Sequence, residues 1–481
     1  MAKRKRNLNG DSAAVPLTAP NKKVKATEVV PHQINTTIQI VAGSYDRVLH
    51  GITVTVSQEE DAQFADTFLF NAHVSAIRSL ALSPPSAPIP NQTQKIILAS
   101  GSTDERINLY HLSAHAPSKI TVPIIPSLTA KAVVENPQNR ELGSLLHHSS
   151  AVTALHFPNR SKLLSSAEDS TIAVTRTRDW SLLSTIKAPI PKPIGRPSGD
   201  TAPLGGAPSG INDFAVHPST KLMISVGKGE KCMRLWNLVT GKKAGVLNFE
   251  RSMLCEVGES RFSSGEGRKV KWGSADEGEE FCVAFERGVL VFGMDSKPRC
   301  KVAPDPRTKI HQMCYVQVAE EDDPQLLAMS TEDGRILFYS TISKDLSTAE
   351  AVGDKDTPLP SAKLIAQLGG KDSGVAGRIK DFAVLSLGEG VSKELLVVTG
   401  GSDGAIRVWR LLSKDLVSHS GAARQVGQLL GTYETGNRIT CLKAFVMLPE
   451  ANGEEDDLEL SEDFEGFDDE GEPESSSSDS D

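Results

Sequence analysis

Thr399-Gly-Gly-Ser-Asp403-Gly-Ala-Ile-Arg-Val-Trp409 reads as the end of one strand, a tight acidic turn and the whole of the next strand. The acidic side chain can accept hydrogen bonds from amides of its own turn, which fixes a short strand–turn–strand unit. Six residues after the acid comes an aromatic that ends the strand. The same register recurs at Asp46 (to Ile52), Asp104 (to Tyr110), Asp169 (to Thr175) and Asp333 (to Tyr339). With Glu in place of Asp it recurs at Glu230 (to Trp236) and Glu286 (to Phe292). The seven markers are 58, 65, 61, 56, 47 and 70 residues apart, and repetition at such intervals points to a repeat architecture. Apolar residues elsewhere alternate with period 2, as in Ile107-Asn-Leu109-Tyr110 and Val289-Leu-Val291-Phe292. The chain therefore reads as all-β, with no amphipathic helix.

A second marker precedes six of the seven turns: an apolar β-branched residue, then an apolar residue three positions on. It appears as Ile77/Leu80, Val152/Leu155, Ile211/Phe214, Ile310/Met313 and Ile379/Phe382, and in a shortened form as Val270/Trp272. Asp46 has no such strand before it. An orphan copy, Ile439/Leu442, follows the last turn and has no acid after it. The simplest account is circular. The strand from Arg438 to Met447 completes the unit begun near Asp46 and pairs with residues near 38–42, leaving no open sheet edge. The expected fold is a seven-bladed β-propeller over residues 34–448, closed by pairing of its first and last strands, with disordered tails at 1–33 and 449–481.

These markers resemble the WD-repeat propellers, although the Trp sites continue as Trp236-Asn and Trp409-Arg rather than Trp-Asp. Scattered blocks over residues 38–448 are similar to one branch, the PAK-interacting-protein-like family, whose fungal members are the "maintenance of killer" ribosome-assembly factors. The blocks include Val41-Ala-Gly-Ser-Tyr-Asp46, Leu146-His-His-Ser-Ser150, Ser165-Ser-Ala-Glu-Asp169, Val216-His-Pro-Ser219, Leu235-Trp-Asn-Leu-Val239 and Arg438-Ile-Thr-Cys-Leu442. The resemblance implies a non-enzymatic scaffold for large ribosomal subunit assembly and pre-rRNA processing in the nucleus and nucleolus. Implied partners are assembly factors, ribosomal proteins of the pre-large-subunit particle and pre-rRNA. The alternative is an adaptor that binds and restrains a PAK-type kinase. The long insertions and the acidic C-terminal tail depart from the family pattern.

Composition agrees with an intracellular, non-membrane protein. The 481 residues include six cysteines, none in a C-x-x-C pair, and no apolar run reaches 18 residues. The basic start has no apolar segment behind it, unlike a secretory signal. The net charge of −9 hides a strong asymmetry. Residues 450–481 carry 16 Asp/Glu and no Lys/Arg, residues 1–25 carry seven Lys/Arg and one Asp, and 26–449 carry 45 basic and 44 acidic residues, or +1. Lys3, Arg4, Lys5 and Arg6 with Lys22, Lys23 and Lys25 resemble a two-part nuclear import signal. In the acidic tail, Ser476 and Ser478 each precede an Asp by three residues, the spacing of an acid-directed kinase site.

Catalytic and cofactor signals are weak. Gly400-Gly-Ser402-Asp-Gly404 matches G-x-S-x-G, but a nucleophile elbow needs a following helix and a strand follows here. No phosphate-loop motif occurs. His147 and His148 are adjacent, so on a strand they face opposite ways and cannot readily share a metal. His73 and His148 stand where a WD-repeat histidine bonds the turn acid of its own blade. No catalytic, cofactor-binding or metal-binding residue is expected. The residue just before each first-strand marker is Ala76, Ala151, Gly210, Lys269, Lys309, Arg378 and Arg438. Four consecutive cations, Lys269, Lys309, Arg378 and Arg438, would form a basic arc facing an anionic partner such as RNA.

Overall fold

The structure is a computed structural model that describes residues 36–449 apart from 58–60, 91, 118–135, 191–208, 260–262, 319–323, 348–357, 376, 388–392 and 418–423. The expected tails at 1–33 and 449–481, Pro449 excepted, fall outside the described residues, as do the seven basic residues of the import signal and Ser476 and Ser478.

Each repeat is a four-stranded antiparallel sheet in sequential order. Blade 1 begins with the strand Ile77–Leu82, blade 2 with Val152–Asn159, blade 3 with Ile211–Val216, blade 4 with Lys269–Ala275, blade 5 with Ile310–Val316 and blade 6 with Ile379–Leu387. Blade 7 takes its first strand, Ile439–Val446, from the far end of the sequence and the other three, Thr36–Ser44, Val48–Val56 and Ala62–Asn71, from the near end. The closing register runs from Ile38 opposite Val446 to Ser44 opposite Ile439. Each blade's first strand touches the first strand of the next, and blade 7 touches blade 1, so seven inner strands ring one axis.

The chain forms this ring because each sheet is apolar on both faces and so needs a neighbour on each side. Seven buried clusters result among the described residues, one at each blade junction. At blades 1 and 2, Ala99, Ile107 and Leu109 meet Val152, Leu155 and Leu163. The small residues that end each second strand are explained here too. A Cβ on Gly101 would lie 2.6 Å from Val152, and one on Gly43 would lie 2.7 Å from Ile77, so the next blade's marker packs directly onto backbone.

The spacing of three in the marker has a structural cause. In six blades the register shifts by one residue just after the marker, at Arg78, Thr153, Asn212, His311, Lys380 and Thr440. One residue is inserted there as a bulge, which turns its side chain out of the ladder. Blade 4 has no such shift, and its marker is accordingly the shortened Val270/Trp272. Residues beside the bulges hold neighbouring blades together: Ser79 Oγ accepts from Leu155 N–H (3.1 Å), Asp213 from Val270 N–H (3.2 Å) and Asp381 from Leu442 N–H (2.9 Å).

Two details depart from the repeat pattern. Among the described residues there is one α-helix, Arg251–Glu256, which seats Leu254 and Val257 against blades 3 and 4; it is too short to show helical periodicity. Arg424–Gln425, inside the insertion of blade 6, adds a parallel fifth strand to blade 5 beside Ala366 and Gln367.

Candidate functional site at the mouth of the axial channel

The acidic turns all lie between second and third strands, on one face of the ring, and their side chains do several different jobs. Asp104 accepts from Val74 N–H (3.1 Å), Arg106 N–H (3.1 Å) and the His73 ring (3.1 Å), while His73 Nε2 meets Ser100 Oγ at 2.8 Å. Asp169 repeats this with Ser149 N–H, Thr171 N–H and His148, whose Nε2 meets Ser165 Oγ at 2.8 Å. Burial pushes the Asp169 carboxyl up, but the bonds from His148, Thr171 and Ser149 outweigh it and hold it at about 2. Asp403 caps Ala405 N–H and pairs with Arg407 at 2.9 Å. Asp333 pairs with Arg335 at 2.7 Å, and Asp46 accepts from Arg438 N–H across the closing junction at 3.2 Å.

The two glutamates differ, because one more methylene carries the carboxylate past its own turn. Glu230 grips the Arg234 guanidinium. Glu286 reaches Lys309 (3.2 Å) and Arg268 (3.5 Å), and Glu259 caps the Glu286 N–H instead. Ser402 sits in a strand-to-strand turn where its N–H donates to Arg378 O (2.9 Å), with no helix beside it. Ser402→Ala is therefore expected to leave both the fold and any esterase background unchanged in a chromogenic ester assay. Among the described residues no three His, Cys, Asp or Glu side chains are grouped to hold a metal.

The residue before each marker lies at this same face. In blades 1, 2, 3, 5, 6 and 7 its carbonyl accepts an N–H from the second-to-third-strand turn, as in Thr103 N–H to Ala76 O and Tyr45 N–H to Arg438 O. Blade 4 lacks the bulge, so Lys269 stands inside the ladder opposite Ala284 and turns toward the buried Asp213, 4.0 Å away. Lys309 is paired with Glu286, and Arg378 with Glu332 at 3.0 Å. Of the four cations of the arc, Arg438 has no ion pair within 4.0 Å among the described residues; its guanidinium lies 5.6 Å from the centre of the Tyr45 ring.

Arg438 opens onto a cavity of about 820 Å³ at the channel mouth, between blades 6, 7 and 1. Arg47, Arg78 and Lys380 line it with Arg438, and the sole acid in its lining is Asp46. Arg78 and Lys380 are bulge residues, and Arg47 holds a left-handed backbone (φ 72°) after Asp46. None of these cations has a carboxylate within 4.0 Å among the described residues. Lys380 Nζ lies 3.5 Å from His311 Nε2. Burial, reinforced by Arg378 and Arg438, pushes the Lys380 ammonium below its usual range. Burial, with Lys380, Lys309 and Arg378, takes His311 down to about 4. Burial is the larger cause of both shifts, and the neighbouring cations add to it. Arg47, Arg78 and Lys380 were absent from the arc read in the sequence. Arg78 and Lys380 stand one position further on, just after the markers Ile77 and Ile379, and Arg47 follows the turn acid Asp46.

Comparison with known proteins fits this geometry. A family model described as "WD domain, G-beta repeat" matches residues 139–174. That span covers the last strand of blade 1 and the first three of blade 2, so the sequence repeat is offset by one strand from the blade. The chain carries a WD repeat and folds as a seven-bladed β-propeller. The propeller is 26% identical over 410 residues to a "p21-activated protein kinase-interacting protein 1-like" of Xenopus laevis, covering 85% of this chain and 82% of the relative. It is 25% identical over 432 residues to "Protein MAK11" of Saccharomyces cerevisiae, covering 84% and 82%. It is 22% identical over 425 residues to "Shk1 kinase-binding protein 15" of Schizosaccharomyces pombe, covering 88% of each. Each of these similarities covers more than four fifths of both chains.

Proposed function

We propose that this WD-repeat propeller is a non-enzymatic scaffold for assembly of the large ribosomal subunit in the nucleus and nucleolus. The observation that carries the reading is the similarity to yeast MAK11 along 84% of the chain, together with the ribosome-assembly resemblance of its blocks. A ring that presents turns and loops on two faces suits simultaneous contacts with several partners. The unpaired cations at the mouth suit a particle rich in phosphate. No helix among the described residues is long and apolar enough to cross a membrane. Tagged protein is expected to sediment with pre-large-subunit particles, and RNA sequenced from that fraction to be enriched in large-subunit pre-rRNA. Sedimentation at the free-protein position, without pre-rRNA, would overturn the reading.

The names of two relatives, one citing a p21-activated kinase and the other the Shk1 kinase, favour a second reading, a protein that binds a kinase of the p21-activated type. Co-purification of such a kinase without pre-rRNA would select it. For localisation, neutralising Lys3, Arg4, Lys5, Arg6, Lys22, Lys23 and Lys25 is expected to move a fluorescent fusion from nucleus to cytoplasm. A fusion that stays nuclear would show that import rides on a partner.

A further inference from the structure

We infer that the channel mouth binds single-stranded RNA, with the phosphates on Arg78, Lys380 and Arg438 and a base against Tyr45. Cations without acidic partners are not holding this fold together through ion pairs. Here four of them surround one cavity whose single carboxylate, on Asp46, is engaged by a backbone amide. The inner strands of blades 1 and 6 deliver Arg78 and Lys380 into it through bulges, and such bulges re-aim side chains toward a site.

The geometry also separates candidate anions. A cavity of about 820 Å³ is much larger than one phosphate needs, and matches a short extended segment. A duplex is a convex rod that cannot enter a concave mouth, whereas a single strand can thread along it with its bases turned outward. The rim carries exposed apolar surface beside the charge: Tyr45 is 60% and Val74 72% exposed. A basic groove beside an aromatic platform is the pattern that holds single strands, because every base has a face to stack. An acidic peptide would satisfy the cations but leave the ring unused. The inference deepens the ribosome-assembly reading and rests on it for the natural source of the RNA.

The test uses the purified full-length chain and a fluorescein-labelled 12-nucleotide oligouridine, titrated by anisotropy between 50 and 200 mM salt. Three to four phosphate contacts, at about 0.7 each, give an expected log–log salt slope of about −2 to −3. The triple variant Arg78→Glu, Lys380→Glu, Arg438→Glu is expected to bind at least tenfold more weakly. Tyr45→Ala is expected to bind about fivefold more weakly or worse, with the salt slope unchanged. Arg178→Glu, an exposed cation on a third-to-fourth-strand turn, serves as the control and is expected to bind as wild type. Melting curves of all variants establish that the ring is intact. Wild-type RNA affinity in the folded triple variant would overturn the inference. So would tighter binding of an oligoglutamate peptide of equal charge. Particle sedimentation is scored separately: a wild-type chain that joins the particle but shows no salt-dependent oligouridine binding sinks this inference and leaves the scaffold reading standing.

Discussion

Deleting the chain from Arg438 onward is expected to abolish cooperative unfolding, whereas deleting only 450–481 leaves the melt unchanged. The longer deletion strips the paired strand from the whole edge between Ile38 and Ser44. It removes Ile439 and Leu442 from the cluster they share with Ile40, Val398 and Val408. It also takes away the Leu442 amide that donates to Asp381 Oδ2 and the Thr440 hydroxyl that donates to Ile77 O, removing one donor from each acceptor. Each large buried side chain contributes about 1.5–3 kcal/mol. Their sum is comparable to the roughly 5–15 kcal/mol that separates folded from unfolded domains. A graded version, Leu442→Ala, is expected to cost about 2–5 kcal/mol by urea unfolding. Dye binding to exposed apolar surface would report the open ring. A truncated chain that melts as sharply as the full protein, at the same temperature, would disprove closure by this strand.

The second large effect lies in the two histidine-centred turns. Asp104→Ala removes the carboxylate that accepts from the Val74 and Arg106 amides and from the His73 ring, and is expected to destabilise by about 1–3 kcal/mol. Asp169→Ala should behave alike and adds a dependence on acidity. The Asp169 carboxyl is held at about 2, below its unfolded value near 3.8. Its contribution is therefore complete above about pH 4 and is lost as pH falls from about 4 to 2. Two units correspond to about 2–3 kcal/mol. His73 acts in the same direction at milder pH. Burial, which outweighs Asp104, lowers its pKa, so below about 6.5 the unfolded chain takes up the proton first and stability falls. Urea midpoints at pH 7, 5 and 3.5 should decline steadily for the wild type. Asp169→Ala should start lower and lose less below pH 4. Parallel pH profiles for the two proteins would count against the assignment.

The repeat was legible because the same physical demand recurs in every blade: a small strand end, an acid in the turn, an apolar marker to pack on the previous blade. Ring closure was legible from an orphan, since Ile439/Leu442 had a marker and no turn. What escaped was whatever one blade does differently. The missing bulge of blade 4 shifts Lys269 from the rim into the ladder, and a list of equivalent positions cannot show that. Glu230 and Glu286 share the register of the aspartates but not their reach. The short helix and the two-residue strand Arg424–Gln425 are held by tertiary packing rather than by any local period. The mouth depends on which cations lack an acid nearby, and that is a property of neighbours far apart in sequence.

Blade 7 joins strands made at opposite ends of synthesis. Ser44 and Ile439, which face each other in its sheet, are separated by 395 positions. At a ribosomal pace of about 5–20 residues per second, the strand Thr36–Ser44 waits roughly 20–80 s for its partner. Throughout that interval Ile38, Ile40 and Ala42, all buried in the finished ring, border an edge able to pair with any passing strand. The protein's most exposed moment is thus its own translation. Crowded polysomes, where many copies wait in the same unfinished state, are where neighbouring chains have the opportunity to exchange this strand.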